Sequence, residues 1–134
     1  MAHPAKCSLC VPVLVCTDLA AAVAFFVEKL GFKQQFIHGS PPVYAGVYRD
    51  GSELHLATTG ASPTSNRAMW RKDNQPADIC FFVKNADALY AEFVARGVAM
   101  AGSPTDQSYG IRDFNVTTPD GHVLRFNQVL GEHS

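Results

Sequence analysis

Charge is scarce in this chain. Only 17% of the 134 residues are Asp, Glu, Lys or Arg, against 47% hydrophobic, and the formal net charge is -1. Such a balance gives no long-range pull on phosphate backbones, and no run of Lys and Arg exists. The densest spot, Arg67 to Lys72, holds three positive residues. Nucleic acid is therefore not an expected partner. No stretch of 18 apolar residues is present, and no apolar signal segment follows the first charged residues, so no membrane partner is expected and the expected location is cytoplasmic. No serine sits in a G-x-S-x-G elbow, and no glycine-rich loop is built to cradle phosphate. The thin coat of charge fits either apolar surface hidden against a second subunit or simply a small apolar protein.

Cysteine is also sparse: Cys7, Cys10, Cys16 and Cys80. Cys7 and Cys10 have the C-x-x-C spacing, but a zinc site needs two further soft or imidazole ligands. A redox pair of the thioredoxin kind ends a strand and opens a helix, whereas this pair leads into the strand-like run LCVPVLVC. The four are read as structural or incidental thiols.

What is present is a pattern stated twice. Leu9 to Cys16 reads as a strand, and Thr17 or Asp18 can cap the helix after it. Leu19, Val23, Phe26, Val27 and Leu30 recur at helical spacing, and Gly31 closes the helix. Strands are expected at Phe32 to His38, Val43 to Arg49 and Glu53 to Thr58, the last two joined by an Asp50-Gly51 turn. The second half has a strand at Ala77 to Val83 and a helix capped by Asn85, with Ala86, Leu89, Tyr90 and Phe93 on one face and Gly97 at its end. A strand-like element starts at Val98 to Ala101, a polar loop runs from Gly102 to Gly110, and Ile111 to Thr118 and His122 to Val129 form a closing hairpin. The expected class is α+β: a single domain, 1–134, of two βαβββ modules at about 8–60 and 76–131, forming a curved mixed sheet around a cleft. Loop 60–76 joins the modules and is longer than most connections, which suits a functional loop or a linker.

In the last strand, Leu124 and Phe126 share a core-facing side while Val123, Arg125 and Asn127 face the cleft. An arginine there needs compensation. It is read as a structural ion pair with Asp78 or Glu53, as a direct ligand contact with an anionic group, or as solvent-facing. His55 and Tyr48 are placed in the first-half cleft, with His55 either touching ligand or satisfied within the sheet. Phe36, Tyr44, Trp70 and Tyr109 are candidate stacking surfaces. Trp70 is read as a ligand platform, a subunit contact or a lid over the core.

Several stretches carry a family resemblance: Val15-Cys-Thr-Asp-Leu19, Phe25-Phe-Val-Glu-Lys-Leu-Gly-Phe32, Asp50-Gly-Ser-Glu-Leu-His-Leu56 and Thr118-Pro-Asp-Gly-His-Val-Leu-Arg-Phe126. In order and spacing they resemble the vicinal oxygen chelate superfamily, which includes glyoxalase I, extradiol dioxygenases, fosfomycin-resistance enzymes and bleomycin-resistance proteins. The enzymes of that superfamily hold a metal at four equivalent positions. By resemblance these fall on Val11, His55, Asp78 and Arg125. Valine donates nothing and arginine offers only N–H donors, so the set suits a divalent cation poorly, and neither metal nor cofactor is expected.

The tail from Pro119 to Gln128, arginine included, and the stretch Tyr109 to Phe114 look much like those of bleomycin-resistance proteins, which are dimeric, non-catalytic and sequester a drug in grooves between subunits. The resemblance thus implies a homodimer that binds a small aromatic or cationic antibiotic-like molecule without turning it over, through His55, Asp78, Arg125, Tyr109, Trp70, Tyr48 and Phe36. Two alternatives stand beside it: an enzyme of the superfamily with an atypical or absent metal site, and a dimeric protein without ligand function.

Overall fold

The computed structural model describes residues 4–131, so the two ends of the expected 1–134 domain lie outside the described residues. In chain order the elements are β1 (Val13–Val15), α1 (Leu19–Ala24), β2 (Lys33–His38), β3 (Tyr44–Arg49), β4 (Ser52–Ala57), β5 (Ile79–Phe82), α2 (Ala86–Ala95), β6 (Thr105–Asp106), β7 (Ile111–Thr117) and β8 (Val123–Val129). The strands form two four-stranded sheets of the same topology, β1-β4-β3-β2 and β5-β8-β7-β6. In each, the first strand runs parallel to the last and the remaining pairs are antiparallel. The fold is α+β, with two strand-helix-strand-strand-strand units.

Local chemistry explains the helix ends. Asp18, rather than Thr17, caps α1: its Oδ1 accepts from the Ala21 amide at 3.1 Å, and Asn85 does the same for Ala88 at 3.0 Å. The first helix then widens into a π-helical turn over Phe25–Lys29, which seats Phe26 and Leu30 in the core. Gly31 and Gly97 follow the two helices at φ 73 and 85, the left-handed conformation in which a side chain is strained.

Both helices and one face of each sheet converge on a shared core. Leu14, Leu54, Leu56, Ala45 and Val47 come from the first sheet, and Ile79, Phe81, Phe114, Val116, Leu124 and Phe126 from the second. Phe32 meets Phe81 edge-to-face at 5.9 Å between centroids, and Phe81 stacks on Phe126 at 4.8 Å. Arg49 strengthens the junction: its guanidinium grips Glu92 of α2 with two 2.8 Å hydrogen bonds and donates a third to the Leu30 carbonyl. Such bidentate pairing fixes orientation as well as charge.

Two expected strands are corrected. The run from Leu9 contributes only Val13–Val15 to a sheet, because residues 4–10 are exposed and have no neighbouring strand. Val98 to Ala101 is not a strand: Val98 turns into the core at the end of α2, and pairing begins later, at Thr105–Asp106, inside the expected loop. There Arg112 grips Asp106 through Nε at 2.6 Å and Nη2 at 3.1 Å, which pins the short edge strand.

Candidate functional site

Alternation along the strands turns one face of each sheet to the core and leaves the other open. On the first sheet the open face is aromatic. Register places Val13, His55, Gly46 and Phe36 in one row across β1, β4, β3 and β2. Gly46 has no side chain, so the Phe36 ring lies directly over it. Phe36 stacks on Tyr44 at 6.1 Å and meets His55 edge-on at 5.2 Å. The Tyr44 hydroxyl and His55 Nδ1 share a 2.8 Å hydrogen bond, which fixes both rings. Tyr48 lies on the same face, between Lys33 and Glu53. Val13 at 50% and Phe36 at 36% exposure make this a partly exposed apolar pad.

On the second sheet the corresponding face is polar. Arg125 donates from Nε to Asn115 Oδ1 at 2.9 Å and from Nη2 to the Gln75 carbonyl at 2.6 Å. With Lys72, Asp73, Gln107, Tyr109 and Asp113 these residues line a cavity of about 440 Å³. The ion pair expected between Arg125 and Asp78 or Glu53 is not formed. Glu53 belongs to the first sheet, opposite Tyr48. Asp78 sits one pleat away, where its amide pairs with Val123.

The carboxylate of Asp78 is fully engaged elsewhere. It accepts from Ser65 Oγ at 2.6 Å, the Asn66 amide at 2.7 Å and the Val123 amide at 2.8 Å. Burial raises the affinity of this carboxyl for a proton, but those three donors and the nearby His122 outweigh it and hold its pKa below the ordinary value. Trp70, at the end of a short 3₁₀ turn (Asn66–Met69), donates from Nε1 to the Pro76 carbonyl at 3.0 Å, and Arg67 covers its ring at 4.6 Å. The structure thus gathers Phe36, Tyr48 and His55 on one face and Arg125 with Tyr109 on another, while Asp78 and Trp70 anchor the linker.

His122 is not among the residues expected from the sequence. It is 5% exposed, and its Nε2 donates to the Val15 carbonyl at 2.7 Å, tying the second module to β1. Its position directly after a Pro-Asp-Gly turn, at the start of a core strand, was the available signal. Among the described residues, no three His, Cys, Asp or Glu side chains come together as a metal-binding group. No described helix is long and apolar enough to cross a membrane.

A family model described as the Glyoxalase/Bleomycin resistance protein/Dioxygenase superfamily matches residues 6–126. The chain belongs to this superfamily. No curated protein sequence matches it. Solved superfamily-like structures do. The bleomycin-binding protein of Streptomyces verticillus, solved with copper(II)-bleomycin, is 27% identical over 96% of this chain and 100% of its own, with a TM-score of 0.68. TioX from Micromonospora sp. ML1 is 21% identical over 92% and 99%, TM-score 0.71. A glyoxalase-related enzyme from Clostridium phytofermentans is 19% identical over 96% and 100%, TM-score 0.77. The fold is thus shared with bleomycin-binding proteins.

The residues that the resemblance sets at the superfamily's four metal positions do not fit a divalent cation. Val11 has no donor atom, and the Arg125 guanidinium is a permanent cation. Both oxygens of Asp78 are already committed to the protein, which leaves His55, through Nε2, as a lone imidazole donor.

Proposed function

We propose that this chain binds and sequesters a small aromatic or cationic antibiotic-like molecule, without turning it over. The observation that carries this reading is the pad of Phe36, Tyr44 and His55, three rings fixed against one another on an open sheet face. A flat ligand gains most from pre-placed rings, because little side-chain freedom is lost on binding. The likeness in fold to the copper(II)-bleomycin-bound protein of Streptomyces verticillus supports the ligand class.

Each open face is half of a site. The aromatic pad and the polar cavity lie on different sheets whose other faces share one core. A homodimer that lays the pad of one protomer against the polar face of its partner closes both halves. The groove then has an apolar floor and charged, hydrogen-bonding walls, as small-molecule sites do. The four free cysteines suit a reducing compartment, in keeping with a cytoplasmic protein.

The test is a thermal-shift panel of aromatic antibiotics against the purified protein. A selective ligand raises the melting temperature by several degrees. Phe36→Ala abolishes that shift while its own unfolding remains cooperative. A panel without any shift refutes the binding reading.

A further inference from the structure

Two opposite charges on the polar face sit in one cavity and do not pair. Register sets Asn115 opposite Arg125 and Asp113 opposite Asn127, so Arg125 and Asp113 are diagonal neighbours on the same side of β7 and β8. Diagonal side chains start about 7–8 Å apart, within reach of an ion pair for an arginine. Instead each is turned to neutral partners. Arg125 is held by Asn115 Oδ1 and the Gln75 carbonyl, and Asp113 Oδ1 accepts from Gln107 Nε2 at 3.1 Å. These contacts orient the two charges and neutralise neither.

The arrangement has a cost. Asp113 is only 8% exposed, and a buried carboxylate without a cationic partner is expensive. The cavity of about 440 Å³ is lined by both groups. Lys72 and Asp73 repeat the two signs on its wall, and Tyr109, 69% exposed, stands beside them as a free aromatic surface. A lone anion would meet Asp113, and a lone cation would meet Arg125. A group carrying both charges satisfies the pair.

We infer that the cavity between Arg125 and Asp113 takes a zwitterionic group of the α-amino-acid kind, its carboxylate on the Arg125 guanidinium and its ammonium on the Asp113 carboxylate. An α-amino acid presents the two charges two bonds apart, short enough to sit between diagonal side chains. Charge-assisted hydrogen bonds at both ends make each charge separately measurable. This inference rests on the binding reading above and specifies one part of the ligand.

The experiment uses four compounds with one aromatic ring system: tryptophan, N-acetyltryptophan, tryptophan amide and N-acetyltryptophanamide, which are zwitterionic, anionic, cationic and neutral. Each is titrated into the full chain and followed by calorimetry and by shifts of backbone amide resonances. Tryptophan binds tightest, and removing either charge weakens binding by about tenfold. Arg125→Gln reduces tryptophan to the level of tryptophan amide, and Asp113→Asn reduces it to that of N-acetyltryptophan. If a variant fails to fold, the series on the unaltered protein still decides. Equal binding of all four, or a singly charged compound matching tryptophan, overturns the zwitterion inference and leaves the binding reading intact. Binding of none of the four overturns the inference, and if no antibiotic in the panel binds either, the binding reading falls with it.

Discussion

His122 Nε2 donates to the carbonyl of Val15 at 2.7 Å, and the buried Nδ1 of the same ring faces Asp78 Oδ2 at 3.8 Å. A carbonyl only accepts, so the proton on Nε2 is fixed by this contact. The ring therefore joins β1 of the first module to the start of β8 in the second. His122→Ala removes the bond, leaves a cavity and exposes no compensating donor. A loss of about 2–4 kcal/mol in unfolding free energy is expected by urea denaturation, with faster amide exchange in β1 and β8. A loss within experimental error would show that the seam does not depend on this contact.

Asp78 gives the seam a pH dependence. Its carboxyl titrates below the ordinary 3.8 in the folded chain, so the folded state binds this proton less readily than the unfolded state. The stabilisation is fully present above that ordinary value and is lost as the pH falls through the folded pKa. Asp78→Asn cannot titrate. Its deficit relative to the parent protein is therefore constant around neutral pH and shrinks in strong acid. A deficit that grows as the pH falls would contradict this assignment.

Gly46 shapes the aromatic pad by what it lacks. A methyl group at this position would overlap the Phe36 ring, with Cδ2 at 2.9 Å. Gly46→Ala is expected to push Phe36 off its seat between Tyr44 and His55, at about 1–3 kcal/mol of stability. Ligand-induced thermal shifts fall with it, and the intrinsic melting curve stays cooperative. Undiminished ligand shifts would remove the pad from the binding surface.

The thiols divide by burial. Cys7, Cys10 and Cys80 are exposed, whereas Cys16 is buried and its Sγ lies 3.5 Å from the Ala57 carbonyl. Burial, reinforced by Asp120 and Asp18, pushes the Cys16 thiol up to about 11, so the reactive thiolate is rare. A thiol-reactive chromophore should modify three cysteines quickly in the native protein and the fourth only on unfolding. Fast modification of all four would contradict the packing around β1.

The repeated pattern of strand, capped helix, glycine and hairpins was legible because each signal is local. Asp18 and Asn85 cap their helices through their own side chains, and Leu54 and Leu56 alternate with Glu53 and His55 along a single strand. The misread elements depend on packing and side-chain contacts that local propensity does not encode. Val98 goes to the core because α2 ends against it, and Thr105–Asp106 becomes a strand because Arg112 is there to hold it. The site was legible in part for the same reason. Periodicity put Arg125 on the side away from Leu124 and Phe126, but the direction in which Asp78 spends its oxygens depends on the folded linker, through Ser65 and Asn66. The Pro-Asp-Gly turn marks where His122 stands, but its role rests on Val15, 107 residues away in the chain.

Sequestration without turnover is tested most directly by mass spectrometry of the compound recovered from the complex. The protein is incubated with an antibiotic that raises its melting temperature, the complex is isolated, and the compound is released and weighed. Stoichiometric recovery at unchanged mass, with no metal added, is the expected result. A chemically altered compound, or binding that occurs only with a stoichiometric metal ion, would contradict it.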